Sequence, residues 1–117
     1  MHIEVHTDKT ITNDARLADL VAVALDGTIG RFGDQITRVE VYLSDENGPT
    51  KGGGDDISCR IEAKPAGHQA VAAGNKADSV ADAVDGAAEK LVRVLDSTFG
   101  RLDHRKGGMS YGGDQKI

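Results

Sequence analysis

The apolar residues of this chain follow two spacings, one extended and one helical, and these spacings predict six elements. Four strands are predicted where apolar and polar side chains alternate, over residues 1–7, 35–44, 57–64 and 68–74. Two helices are predicted where apolar residues recur every three or four positions, over residues 14–31 and 78–102. In chain order the elements are therefore β-α-β-β-β-α.

The longest helical pattern, over residues 78–102, organises the chain. Asp78 or Ser79 is expected to cap its first turn. Gly86 weakens its middle by about 1 kcal/mol relative to alanine, and so small a residue would let another element come close. The predicted buried face consists of Val80, Val84, Ala87, Ala88, Leu91, Leu95, Thr98 and Leu102.

The first helix has a clear start and a weak end. Thr12, Asn13 or Asp14 is expected to cap its first turn. Gly27 and Gly30 weaken its C-terminal half. Its predicted buried face consists of Leu17, Leu20, Val21, Ala24, Leu25, Thr28 and Phe32.

Every predicted strand has one apolar and one polar face, which favours a two-layer α+β domain. The four-stranded sheet should carry both helices on its apolar face and expose the other face to water. This arrangement is akin to that of double-stranded RNA-binding folds. Residues 1–102 form the predicted domain, residues 45–55 a mobile loop, and residues 103–117 a flexible, glycine-rich tail.

Composition limits both the core and the function. Aromatic residues make up only 3% of the 117 residues, so the core must be built from Val, Ile, Leu and Ala. A net charge of −5 argues against a protein that coats nucleic acid indiscriminately but allows a local basic patch. The sequence shows neither an apolar run of about 20 residues nor a signal-peptide layout, and the expected compartment is therefore the cytoplasm.

The outer surface of the long helix is sorted by charge. At about 100° per residue, one line of positions carries Lys90, Arg93, Ser97, Arg101 and His104, and Arg105 and Lys106 extend it. A neighbouring line carries the acids Asp78, Asp82, Asp85, Glu89, Asp96 and Asp103. Two interpretations remain open: an ordinary solvated surface, or a basic strip that contacts a polyanion beside an acidic strip.

The sequence offers no recognisable catalytic set, so we expect no enzyme, cofactor, metal site or small-molecule substrate. The single cysteine, Cys59, lies in an alternating run and is interpreted as a small buried hydrophobe. His2 and His6 share a face but lie about 13 Å apart along an extended strand, too far to bind one metal between them. No Cys-His or Ser-His-Asp arrangement follows from the predicted faces.

Three segments resemble the ribosome hibernation-promoting factor family, also called ribosome-associated inhibitors or sigma-54 modulation proteins. They are IEVHTD at the start, RFGDQITRVEVYLSDENGP in the middle and DSVADAVDGAAEKLVRVLDSTFGRL in the final helix. The resemblance covers about residues 1–102 and includes the order of the elements. It implies a bacterial translation inhibitor that binds small-subunit rRNA near the decoding centre under stress or in stationary phase. The matching contact residues would be Lys90, Arg93 and Arg101, and Arg105 and Lys106 extend the predicted rRNA contact beyond the matching segment.

The chain also departs from the family pattern, because typical members carry more Lys and Arg on both helices. Here the first helix offers only Arg16 and Arg31. The alternative is a protein-binding adaptor that uses Asp82, Asp85, Glu89 and Asp96. A basic strip that continues from the second helix onto the sheet edge would favour RNA, and an unbroken acidic face would favour a protein partner. A homodimer is also considered, through the open sheet face with Arg38, Tyr42, Arg60 and Glu62.

Overall fold

Two helices cover one face of a four-stranded sheet. The structure is a computed structural model that describes residues 1–46 and 56–107, with only the backbone described for 101–107. The elements are β1 (His2–Thr7), α1 (Ala15–Asp26), a 3₁₀ helix (Ile29–Gln35), β2 (Ile36–Asp45), β3 (Ile57–Pro65), β4 (Val71–Ala77) and α2 (Val80–Gly107). The predicted β-α-β-β-β-α order is confirmed. The predicted mobile loop at residues 45–55 falls almost wholly outside the described residues.

The strands lie in the order β1-β2-β3-β4, so β1 and β4 are the two edges. β1 runs parallel to β2, with Glu4 beside Glu40. β2, β3 and β4 form the predicted antiparallel meander, in which Arg60 lies beside Gly74. The parallel pair is joined by the crossover that contains α1, because parallel neighbours cannot be linked by a tight turn.

The core lies between the sheet and the helices and is aliphatic, as the composition predicted. Its fully buried side chains come from α1, the 3₁₀ helix, the two central strands and α2; the largest are Leu25, Ile29, Ile61, Leu91, Leu95, Val21, Val39, Val41 and Val84. Phe32 and Phe99 pack at its margin with ring centroids 5.4 Å apart. Cys59 is fully buried here, and burial raises the pKa of its thiol to about 12, which suits a packing role.

The first helix is shorter than the sequence predicted. Asp14 caps it by accepting a hydrogen bond from the Leu17 amide at 3.1 Å, as expected. The prediction that it continues to Arg31 is wrong, because α1 ends at Asp26 and Gly27 closes it. The chain then tightens into the 3₁₀ helix, which buries Phe32 by a different route from that predicted.

Two strand details also differ from the prediction. The alternation of Thr37 with Val39, Val41 and Leu43 predicts a buried position, yet Thr37 is exposed and its hydroxyl donates to the Lys64 carbonyl. The register shifts between Ile36 and Arg38, and this irregularity turns Thr37 outward and Ile36 inward. β4 spans Val71–Ala77 rather than 68–74, because its ladder with β3 holds residues of low β-propensity in place.

The second helix begins as predicted and ends later. The Ser79 hydroxyl accepts from the Asp82 amide at 3.2 Å, which confirms one of the two predicted caps. A Cβ on Gly86 would lie 2.6 Å from Cγ of Asn75, so the small residue does admit β4. The helix extends to Gly107 rather than Leu102, and residues 108–117 of the predicted tail lie outside the described residues. No helix in the described part of the chain could span a membrane.

The Asp8 carboxylate ties the end of β1 to the end of β2. It accepts hydrogen bonds from Thr10 Oγ1 at 2.7 Å and from the Asp45 amide at 2.9 Å, among others. These bonds favour the charged form and lower the pKa of Asp8 below its usual 3.8. The carboxylate should therefore stabilise the fold above its unfolded-state pKa, and this contribution should disappear as pH falls through the lowered value.

We expect Asp8→Asn to lower the urea midpoint at pH 7 and to have a progressively smaller effect below about pH 4. Unfolding curves of both proteins across this pH range test the expectation. Asp34→Asn, at an exposed position in the 3₁₀ helix, is the matched control. A stability difference between Asp8→Asn and the native chain that does not change with pH would contradict the assigned role.

Candidate nucleic-acid interface

Lys90 connects the basic line of α2 to the free edge of the sheet. Its Nζ donates to the Gly74 carbonyl at 3.3 Å and to Oδ1 of Asn75 at 3.2 Å. Asn75 in turn donates from Nδ2 to the Asp82 carbonyl at 3.4 Å, across the small surface left by Gly86. These contacts fix the position of an exposed ammonium group beside the edge strand β4.

Two further cations lie in the groove beside Lys90. This open groove has a volume of about 470 Å³ and is lined by Ser58, Cys59, Arg60, Ala72, Ala73, Gly74, Asn75, Lys76 and Lys90. Arg60 and Lys76 come from β3 and β4, and antiparallel pairing brings their strands together. We call Arg60, Lys76 and Lys90 the edge cations. The predicted strip therefore continues from the helix onto the sheet edge.

The sequence interpretation missed Arg60 and Lys76 as members of this surface. Arg60 was assigned to the open sheet face, and Lys76 lay beyond the predicted end of the fourth strand. The available signal was the alternation of β3, which places Arg60 on the polar face, together with a lysine on the strand that follows. Their meeting with Lys90 depends on the register of β3 with β4, which periodicity does not give.

Two of the edge cations form ion pairs at the protein surface. Arg60 lies 2.8 Å from Glu62, and Lys76 lies 2.8 Å from Glu46, which raises the pKa of the lysine. Exposed ion pairs of this kind contribute about 0–1 kcal/mol each. A phosphate that offers stronger, multiple contacts can therefore exchange with either carboxylate at small cost.

Arg93 follows Lys90 by one helical turn and is exposed. Within residues 1–46 and 56–100 it makes no hydrogen bond or ion pair, which leaves its guanidinium available. Arg101, Arg105 and Lys106 lie on the last turns of α2, but their side chains are outside the described part of the structure. Of the five predicted contact residues, the structure thus describes the side chains of Lys90 and Arg93.

The predicted acidic strip is interrupted where α2 meets the 3₁₀ helix. Arg31 donates from Nη2 to both carboxylate oxygens of Asp96 at 2.8 Å, and its guanidinium lies 4.6 Å from the Phe32 ring centroid. Nearer the N-terminus of α2, Asp85 stands beside a shallow groove of about 380 Å³ between the two helices, together with Asp19. The groove floor is apolar, and Val23 is 73% exposed there.

The open sheet face carries alternating charges that pair along the strands. Arg38 lies 3.3 Å from Glu40, and Tyr42, 37% exposed, donates to Glu40 Oε1 at 3.1 Å. This hydroxyl lowers the pKa of Glu40, and the carboxylate raises the pKa of Tyr42. The charged groups described on this face thus pair largely with one another, and pairing of the face with a second copy of the chain stays a prediction.

Residues 3–103 match the family described as Sigma 54 modulation protein / S30EA ribosomal protein. The chain belongs to this family. The resemblance inferred from the three segments is therefore confirmed over nearly the whole described domain. The family description names a ribosomal protein rather than an enzyme.

Two solved structures share the fold of this chain. A ribosomal subunit interface protein from Coxiella burnetii superposes with a TM-score of 0.70 at 17% identity, covering 86% of this chain and 99% of that one. The N-terminal domain of Thermus thermophilus Protein Y superposes with a TM-score of 0.63 at 17% identity, covering 84% and 99% respectively. No curated protein sequence matches the chain. At these identities the structural likeness concerns the fold of the S30EA domain.

Proposed function

We propose that this protein binds the small ribosomal subunit in the bacterial cytoplasm and holds it inactive under stress or in stationary phase. The contact is with rRNA near the decoding centre, through Lys90 and Arg93, with Arg101, Arg105 and Lys106 further along α2. The observation that carries the proposal is the continuity of the basic strip, which Lys90 extends from α2 to Arg60 and Lys76. Membership of the S30EA ribosomal protein family supports it.

The chemistry of the strip suits folded RNA. Lys and Arg neutralise phosphates, and phosphate contacts fix position without reading sequence. Because the groove of an RNA helix is recognised mainly by shape and backbone, a short line of cations is sufficient for docking. Because the net charge is −5, the molecule as a whole is repelled by polyanions, and contact depends on local positive potential such as that of the basic strip. Binding should therefore be oriented and strongly dependent on salt.

The test is co-sedimentation of the purified protein with purified small subunits as salt is raised. We expect binding in dilute buffer and release with increasing salt, with a linear fall of the logarithm of affinity against the logarithm of salt concentration. Added messenger and transfer RNA should compete if the site is the decoding centre. Failure to sediment with small subunits even in dilute buffer would overturn the proposal.

The second candidate, a protein-binding adaptor, is favoured by the groove between α1 and α2. Its floor of Leu20, Val23 and Ala24 is apolar, while Asp19 and Asp85 flank it. This combination fits a basic, amphipathic helix of a partner protein, because cations would meet both acids while an apolar face covers Val23.

A fluorescein-labelled amphipathic helical peptide made of leucine and lysine is a suitable probe of this groove. We expect anisotropy to report binding to the native chain and its loss in Asp19→Lys/Asp85→Lys. Asp34→Lys/Asp78→Lys changes the net charge equally at exposed sites outside the groove and should keep the binding. Equal loss of peptide binding in both variants would show that the peptide binds by general charge attraction, and the adaptor hypothesis would be rejected.

A further inference from the structure

We infer that Glu4, His6 and Glu40 bind a divalent transition-metal ion on the open face of the sheet. One ligand atom from each of the three residues lies within 4.8 Å of the others. Nε2 of His6 is 3.1 Å from Oε1 of Glu40 and 3.8 Å from Oε1 of Glu4. Around a first-row ion with bonds of about 2.0–2.2 Å, neighbouring ligand atoms are separated by roughly 3–4 Å. The three atoms already have nearly this spacing.

The backbone brings these residues together without a flexible loop. Glu4 and Glu40 are register partners in the parallel β1–β2 pair, so their side chains leave the sheet side by side. His6 follows Glu4 by two positions on the same strand and therefore projects from the same face. All three ligands belong to strands of one hydrogen-bonded sheet, which limits the entropy lost when an ion binds.

Neighbouring side chains orient each ligand toward a common point. The His6 ring stacks on Tyr42 with centroids 4.9 Å apart and planes inclined by 19°, which holds its Nε2 against the carboxylates. His2 contacts Oε2 of Glu4 at 3.1 Å, and Arg38 contacts Oε2 of Glu40 at 3.3 Å. Both Oε2 atoms are thus occupied, while both Oε1 atoms face His6, and Oε1 of Glu40 also accepts from the Tyr42 hydroxyl at 3.1 Å. Outer contacts of this kind orient the ligands of established metal sites.

The ligand types select the class of ion. One imidazole nitrogen and two carboxylate oxygens suit borderline divalent ions such as Zn²⁺ or Co²⁺ better than Ca²⁺ or Cu⁺. The cluster is exposed, so water would complete the coordination shell. The sequence interpretation weighed only His2 with His6 and dismissed a site. His2 is not a member of the cluster, and the site arises instead because the β1–β2 register adds Glu40.

The ligands lie on β1 and β2, whereas Lys76 and Lys90 lie at the β4 edge of the sheet; Arg60 lies between them, beside Tyr42 in the β2–β3 register. Metal binding is therefore separable from the ribosome contact proposed for Lys90 and Arg93. The double variant Lys90→Glu/Arg93→Glu should keep its metal affinity. Either proposal can fail while the other stands.

Untagged protein is titrated with Zn²⁺ by calorimetry, and Co²⁺ binding is followed by its visible absorption. We expect one ion per chain, with affinity reduced at least about tenfold in His6→Gln and in Glu40→Gln, since even outer-contact changes cost about 10–100-fold. His68→Gln removes an imidazole outside the cluster and should bind as the native chain does.

Equal affinity of His6→Gln and His68→Gln would show that any bound ion sits elsewhere and would overturn the assignment, as would the absence of stoichiometric binding to the native chain. Urea unfolding without metal checks that each variant is folded. His2→Gln tests the outer contact separately: it should weaken Zn²⁺ binding without abolishing it, because it frees Oε2 of Glu4 but leaves all three ligands in place.

Discussion

Reversing Lys90 and Arg93 to glutamate is expected to weaken binding to small ribosomal subunits at least about 50-fold at roughly 0.1 M salt. Each phosphate contact releases close to one counterion, so two lost contacts account for most of this factor, and the new negative charges add repulsion. The slope of log affinity against log salt should become shallower by about 1.4–1.8. Sedimentation or fluorescence titration across a salt series measures both quantities.

The matched control is Lys9→Glu/Arg38→Glu. It changes the net charge by the same amount, but Lys9 follows β1 and Arg38 lies on β2, away from the β4 edge. If only total charge mattered, both variants would lose affinity equally, and the basic strip would be rejected as the contact surface. Adding Arg101→Glu to the first variant should weaken binding further if the strip extends along α2.

Replacing Leu91 with alanine is expected to lower the free energy of unfolding by about 2–5 kcal/mol. Leu91 is fully buried on α2 and belongs to the cluster that joins both helices to the sheet. The loss combines the transfer free energy of the removed atoms with the cavity that they leave. Because domains of this kind are stable by only about 5–15 kcal/mol, the change should be easily measured by urea unfolding.

Val23→Ala is the control for the core variant. Val23 is 73% exposed on α1, so its truncation should change stability by no more than about 0.5 kcal/mol. A comparable loss of stability in both variants would mean that another surface covers Val23 in solution. The adaptor hypothesis requires such a cover only when a partner protein is bound. A loss below about 1 kcal/mol for Leu91→Ala would contradict its central place in the core.

Hydrophobic periodicity was sufficient to predict the order of the elements, and composition was sufficient to predict the aliphatic core. Errors arose where local signals compete. Gly27 and Gly30 gave warning of a weak helix end, but a sequence does not show that the chain would tighten into a 3₁₀ helix to bury Phe32. Residues 74–77 have low strand propensity, and only their ladder with β3 makes them a strand.

Only part of the candidate site could be predicted from the sequence. Lys90 and Arg93 could be assigned to one helix surface, because helical periodicity fixes which side chains share a face. The hydrogen bonds from Lys90 to Gly74 and Asn75 could not be predicted, because they depend on the close approach of β4 to α2 that Gly86 permits. Arg60 and Lys76 were missed for the same reason, because their place beside Lys90 depends on contacts between different elements.

The sequence by itself determined the faces, apart from that of Thr37: which residues of the helices and strands are buried, which positions of α2 share a surface, and to which family the pattern belongs. The tertiary structure alone decided the neighbours. It placed Lys90 beside the β4 edge, Arg31 on Asp96, and Glu40 beside His6. The physical reason is that periodicity acts within one element, whereas register and packing are set by hydrogen bonds and contacts between residues that lie far apart in the chain.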